Sequence, residues 1–264
     1  MDDNKPGPGS KMIDVVVTML CWTYFVFGFL FFFSFFYAAA YLFSDNRERS
    51  FQYLNHIFYK GFLWLLRTLA PRHKWLLDPH IQNIHGAIIV CNHTSYLDPL
   101  IFISLFPRHK TIVKTQFFHA PVFGWMLKVS GYLPATTEGV YAGRMIEQME
   151  SMGKFLKDGG NLFVFPEGTR NPDSVLGEFH KGVFKIARMH RYPVYILKLC
   201  NTDKLFIPGK FFFNTREQSC ISMEILDCIQ PETEEKQRVI SVSGLEKQVR
   251  HIYQTGSSCD EVIL

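Results

Sequence analysis

The chain has 264 residues, long enough to bury one sizeable core, so one domain plus an appendage is the default expectation. A net charge of +4 is too mild to suggest a nucleic-acid partner, while 26 phenylalanines and a mean hydropathy near zero point toward a protein that faces lipid. The six cysteines (Cys21, Cys91, Cys200, Cys220, Cys228 and Cys259) show no C-x-x-C pair and no regular spacing, so neither a disulfide framework nor a zinc site is predicted.

Residues 1–11 are polar with Pro and Gly and read as disordered. From Val15 to Phe43 there is no charged residue. As a helix that stretch would run about 44 Å at about 1.5 Å per residue, against a bilayer core of about 30 Å. Residues 12–44 are therefore predicted to form a membrane helix; a signal peptide would have a shorter apolar region with a positive cluster before it. Arg47, Arg49, Lys60, Arg67, Arg72 and Lys74 follow the segment, whereas Lys5 and Lys11 before it are offset by Asp2, Asp3 and Asp14. The positive-inside rule then puts the remainder of the chain on the cytoplasmic face of an inner or cytoplasmic membrane. Within residues 45–70, Phe51, Leu54, Phe58, Phe62 and Leu65 recur at three- and four-residue spacing, which predicts an amphipathic helix. It either lies in the interface plane, anchored by Lys60 and Arg67, or packs on the domain that follows.

Residues 71–255 read as that domain, and 256–264 as a loose tail. Pro71 and Pro79 bracket a linker or a short edge strand. Strands are expected at Ala87–Cys91, Lys110–Thr115, Gly131–Pro134, Leu162–Phe165, Pro193–Leu199 and Ser219–Ile229, with helices at Pro99–Phe106, Val122–Val129, Glu138–Lys157 and Lys181–Arg191. Met145, Met149, Met152 and Leu156 share one helix face and read as core. Ile207-Pro208-Gly209-Lys210 reads as the tight turn of a hairpin. Ser243-x-x-Glu246 resembles a capping box opening a last helix to about Gln254, with Leu245, Val249 and Ile252 inward. Alternating strands and helices predict an α/β fold, a mostly parallel sheet flanked by helices, preceded by the membrane helix or a helical pair.

Two strand ends carry chemistry. The first apolar run ends in Asn92-His93-Thr94-Ser95-Tyr96-Leu97-Asp98-Pro99, just before a helix. A histidine there, with a carboxylate five residues on, fits a base that takes a proton from a hydroxyl and an acid that orients it. Asp98 before Pro99 equally fits a helix N-cap, and His93 a satisfied loop histidine. The second run, Leu162–Phe165, ends in Pro166-Glu167-Gly168-Thr169-Arg170, a charged turn that is either a solvated ion pair or a ligand site. Lys114 ends another strand, as a surface lysine or as a ligand.

Together, in this order and at strand ends, Asn92–Asp98 and Phe165–Arg170 resemble the motifs of the glycerophospholipid acyltransferase family, most closely those of 1-acylglycerol-3-phosphate acyltransferases. The resemblance covers residues 50–230. It implies an O-acyltransferase that moves a fatty acyl group from a thioester, acyl-coenzyme A or acyl-carrier protein, to the free hydroxyl of a lysophospholipid, with lysophosphatidate the first choice. It implies His93 as base and Asp98 as its partner, and acceptor binding by Glu167, Gly168, Thr169 and Arg170, with Glu167 holding Arg170 or an acceptor hydroxyl. Asn92 and Lys114 join them as candidate binding residues, and membrane lipids as partners. No cofactor or metal is expected beyond the co-substrate. In the family an amino-terminal helical pair embeds in the membrane. The absence of a G-x-S-x-G elbow argues against a serine hydrolase.

One departure stands out. The family carries an arginine after the third strand that contacts the acceptor phosphate, but here that block, Gly131–Thr137, has none. Lys114, Lys128, Arg144 or Lys181 would have to compensate, or the acceptor is another lysolipid, such as a lyso-aminolipid. Phe117, Phe118, Val122, Phe123 and Trp125 are either an acyl groove or core. Basic residues on Lys181–Arg191 make either a solvated helix face or a dock for an acidic carrier protein or anionic lipid headgroups. A non-catalytic lipid-binding protein on the same fold, and a metal-dependent hydrolase using His93 and Asp98, are the competing classes.

Overall fold

The computed structural model describes residues 8–136, 138–171, 176–230, 240–256 and 259. One unbroken helical rod opens the chain: α1 (Pro8–Thr23), a wider π-type stretch over Tyr24–Phe33, and α2 (Ser34–Phe43). It starts inside the stretch expected to be disordered, of which residues 1–7 lie outside the described residues. Its Lys11–Phe43 portion is long and apolar enough to cross a membrane. After a short break, α3 (Arg47–Leu69) runs back along it, opened by the Asn46 side chain accepting from Arg49 N.

The two rods are joined by specific contacts. Tyr24 Oη donates to Phe58 O at 2.8 Å, and Tyr37 Oη to Asn55 Oδ1 at 2.6 Å. Phe25 meets Phe58 and Phe62 edge-on. A side chain at Gly61 would collide with the Tyr24 hydroxyl, so glycine is what lets the helices approach. On the opposite side of the first rod, Phe31, Phe32, Phe35 and Phe43 are at least 70% exposed.

The domain then follows as β1 (His73–Leu77), β2 (Ile88–Cys91), α4 (Leu97–Leu105), β3 (His109–Val113), α5 (Pro121–Val129), β4 (Leu133–Pro134), α6 (Ala142–Lys157), β5 (Asn161–Val164), α7 (Gly182–His190), β6 (Val194–Cys200), the one-turn α8 (Thr202–Leu205), β7 (Ser219–Ile229) and α9 (Val242–Thr255). The described strands form one sheet in the order β1-β7-β6-β2-β5-β3-β4. Every pairing is parallel except β6 with β7. β2 sits in the middle and is buried on both faces. Ile89 and Cys91 enter a core with α3 and α4, while Ile88 and Val90 enter a second core with α6, α7 and α9.

Some local expectations change. α3 is packed on the domain, with Gln52, Asn55 and His56 buried beside its phenylalanines because they bond Ser130 O, Ser130 Oγ and Ile103 O. The turn at Ile207–Lys210 exists, with Lys210 N bonded to Ile207 O, but α8 and a coil flank it, so it is no hairpin turn. The last helix is capped by Ser241, whose Oγ accepts from Gly244 N, and Ser243 lies inside it. A disulfide joins Cys200 to Cys259, Cα atoms 5.6 Å apart, inside the tail expected to be loose. The two lie 59 positions apart, a pairing that spacing cannot deliver.

Candidate active site

β2 and β5 are neighbours, so the two motif turns leave the sheet side by side at the carboxyl ends of adjacent strands. They are stitched together by a backbone bond, Asn171 N to His93 O, at 2.7 Å. Asp98 is fully buried in the first turn of α4. Burying a carboxylate is costly unless its lone pairs are filled, and here they are. Oδ2 accepts from Thr94 N at 2.7 Å, Ser95 N at 2.9 Å and the His93 ring Nδ1 at 2.8 Å, and Oδ1 accepts from Thr202 Oγ1 at 2.6 Å. The aspartate thus closes its own turn and holds the histidine at once. With Nδ1–H committed to Asp98, the Nε2 lone pair is left to the histidine's open side. Phe165, from the second motif, stacks under the imidazole at 4.3 Å between centroids.

His93 lines a cavity of about 1460 Å³. Its wall includes Gly168, Thr169 and Arg170, together with Lys114, His180, Lys181 and Lys185. Its apolar wall is made by Phe25 and Phe29 of the first rod, Phe58 of α3, and Ile112, Phe117, Phe123 and Leu127 of the domain. It reaches a polar patch where Tyr37, Asn55, Ser130 and Tyr132 are linked by hydrogen bonds. Behind Tyr132, buried His109 donates from Nδ1 to Phe106 O and accepts the tyrosine O–H at Nε2, and burial pushes its pKa down to about 3.

The sequence candidates therefore divide. His93, Lys114, Gly168, Thr169 and Arg170 share the cavity, and Asp98 stands behind His93. Glu167 is turned inward, its Oε2 accepting from Gly177 N at 3.0 Å and from Asn171 Nδ2. It closes the turn and is not the partner of Arg170. The Arg170 guanidinium lies instead on the Tyr96 ring, 3.5 Å from its centroid, and its Nη1 is buried with no hydrogen-bond partner among the described residues. Asn92 faces β6, its amide bonded both ways to Leu199 N and O, so it pins β2 to β6 rather than facing the cavity. Of the four cations that could replace the missing arginine, Lys114 and Lys181 line the cavity, while Lys128 and Arg144 are drawn to Tyr141 and to the Lys128 carbonyl. Gly168 has φ +63°, and a Cβ there would meet the His180 ring at 2.6 Å, so glycine is needed on both counts. Tyr96 and Phe165 lie inside the two motifs without a role having been read for them, while Thr202 and His180 belong to the site but had no motif to announce them.

Residues 78–198 match the Acyltransferase family model. The chain is 32% identical over 151 residues to the chloroplastic 1-acyl-sn-glycerol-3-phosphate acyltransferase BAT2 of Brassica napus, over 56% of this chain and 43% of that one. It is 34% identical over 151 residues to LPAT1 of Arabidopsis thaliana, over 56% and 42% of the two chains, and 30% identical to the 1-acyl-sn-glycerol-3-phosphate acyltransferase of Saccharomyces cerevisiae, over 58% and 50%. The match thus spans half or less of these relatives' length. The fold superposes on the crystal structure of the 1-acyl-sn-glycerophosphate acyltransferase PlsC from Thermotoga maritima with a TM-score of 0.69, covering 96% of this chain and 98% of that one at 20% identity. Both motif turns lie within the matched segment, and through them the chain is similar to the glycerophospholipid acyltransferases.

Proposed function

We propose that the protein is a membrane-bound O-acyltransferase that moves a fatty acyl group from a thioester to the free hydroxyl of a lysophospholipid, lysophosphatidate first among them. The observation that carries this reading is the Asp98–His93 pair set at the wall of a cavity lined both by cations, Lys114, Arg170, Lys181 and Lys185, and by many apolar side chains. His93 Nε2 takes the proton as the acceptor oxygen attacks the thioester carbonyl. The tetrahedral intermediate collapses, the C–S bond breaks, and the imidazolium returns the proton to the departing thiolate. Asp98 holds the ring and offsets its positive charge between those events. Every Asp98 oxygen is already bonded to hydrogen-bond donors, which leaves it poorly suited to ligate a metal.

Arg170 and Lys114 would bind the acceptor phosphate, Arg170 through its unsatisfied Nη1 and Lys114 as a point charge. Lys181 and Lys185 add positive charge at the same wall, which suits a phosphomonoester acceptor and equally the phosphates of a coenzyme A or carrier-protein donor. The acyl chain would run inward past Phe29 and Leu127.

Insertion in one leaflet fits the first rod better than a crossing. Near its start, Asp14 binds Thr215 and Arg216, and Thr18 accepts from Phe213 N. Near its end, Tyr37 binds Asn55 and Tyr41 packs on Trp125. Both ends thus touch the same domain, and a crossing helix would carry one of them to the other side.

His93→Ala tests the reading. Transfer from an acyl thioester to lysophosphatidate should fall roughly 10²–10⁴-fold with folding intact. Wild-type rates would end the proposal, and saturable lysolipid binding without turnover in the wild type would favour a lipid-binding protein instead.

A further inference from the structure

Acyl transfer to a lysophospholipid brings two hydrocarbon chains to one reaction point: the one being moved, and the one the acceptor already carries. The main cavity offers an apolar path for the first. A second apolar pocket of about 340 Å³ opens beside it, walled by Cys21 and Trp22 of α1, Phe62 of α3, Leu97 of α4, and Phe206 and Phe213 of the coil before β7. The two share Phe25, Tyr59, Tyr96, Leu100 and Phe123. Resting on the function proposed above, we infer that this smaller pocket seats the acceptor's own acyl chain.

Tyr96 gives the inference its direction. It lies three residues after His93, lines both spaces and carries the Arg170 guanidinium on its ring. From Tyr96 an aromatic wall leads away through Phe206, at 6.0 Å between centroids, to Phe213, at 4.6 Å from Phe206. A lysophospholipid with its phosphate on Arg170 and its hydroxyl at His93 has its remaining chain beside Tyr96, at the mouth of this pocket. The wall holds one further sign of a lipid. The Trp22 indole N–H is shielded from solvent and has no hydrogen-bond partner among the described residues, although the ring is stacked on Phe211. A buried donor without an acceptor is rare in a finished fold, and an ester oxygen entering the pocket would supply one.

The test uses quenching of tryptophan by bromine on a lipid chain, with the full chain reconstituted in unbrominated phospholipid vesicles. The Trp22 signal is taken as the difference between wild type and Trp22→Phe. Lysophosphatidate brominated along its chain should quench that signal saturably. A diacyl phosphatidylcholine and an S-alkyl coenzyme A thioether, brominated at the same carbons, should not. Cys21→Phe, which fills the pocket, should raise the lysophosphatidate half-saturation at least tenfold and leave the thioether's affinity unchanged. Equal quenching by the diacyl lipid would reduce the pocket to a bilayer contact, and quenching by the thioether would make it part of the donor site; either overturns the inference. If Cys21→Phe does not fold, the three-probe comparison on wild type decides alone. Acyl transfer is followed on the same preparation. Turnover without saturable Trp22 quenching overturns the pocket alone, whereas quenching without turnover supports it and overturns the enzymatic reading.

Discussion

Asp98→Asn isolates charge from geometry at the heart of the proposed mechanism. Oδ2 of Asp98 receives three N–H donors and Oδ1 a hydroxyl. An asparagine with its oxygen at the Oδ2 position keeps all three N–H bonds, and its amide then donates to Thr202 Oγ1, which can turn its own proton to Thr94 Oγ1, 3.0 Å away. The turn, the ring orientation and the tautomer of His93 survive, and the fold should too. What is lost is a full negative charge facing the imidazolium that forms during transfer. At a charge separation of about 4 Å and an effective dielectric near 20, that is about 4 kcal/mol, or roughly a thousandfold in kcat. The assay is steady-state transfer from an acyl thioester to lysophosphatidate, followed by mass spectrometry of the product so that the protein's own thiols do not interfere. KM for the donor should hold. An unchanged kcat in a stably folded variant would refute the base-plus-acid reasoning.

Other outcomes follow from the same contacts. Thr202→Val deletes the 2.6 Å bond to Asp98 Oδ1 and should cost about 1.5–3 kcal/mol in urea unfolding, with Thr202→Ser restoring most of it. Arg170→Lys keeps the charge but loses the fork and the seat on Tyr96, and should raise the acceptor KM roughly 10- to 100-fold with the donor KM unchanged. Acid should weaken the fold before the carboxylates titrate. Burial holds His109 near 3, against 6.5 when unfolded, so through that window the unfolded chain binds a proton that the folded chain refuses. Stability is then fully present above 6.5 and is lost as pH falls toward 3; His73 shifts in the same direction by burial. Urea midpoints across that range should fall in wild type and fall less in His109→Gln.

How far the residues alone reach is clear from particular cases. Both chemical turns could be placed at strand ends because each follows an apolar run bounded by turn residues, and the alternation of strands and helices was enough to predict the mostly parallel sheet. That β2 and β5 are neighbours is a matter of strand order, which periodicity does not encode. Glu167 looked like the partner of Arg170 because opposite charges three residues apart suggest a pair; the backbone N–H of Gly177, ten residues on, claims it instead. Thr202 had no pattern to mark it, being 104 positions from Asp98 in a one-turn helix. α3 shows the same limit in reverse. Its apolar spacing predicted a buried stripe, yet Gln52 and Asn55 are inside because Ser130, at the end of α5, meets them there.

The first helical rod is both the greasy exterior of this protein and an interior surface of its chemistry. Phe25, Val26, Phe29 and Leu30 form cavity wall, while Asp14 and Thr18 clasp the coil before β7. Trimming that rod to obtain a water-soluble fragment would therefore not release a free-standing enzyme; it would unroof the chamber and cut loose the coil that Phe213 belongs to. Detergent or lipid is, in that sense, a structural component of any preparation meant to retain the site.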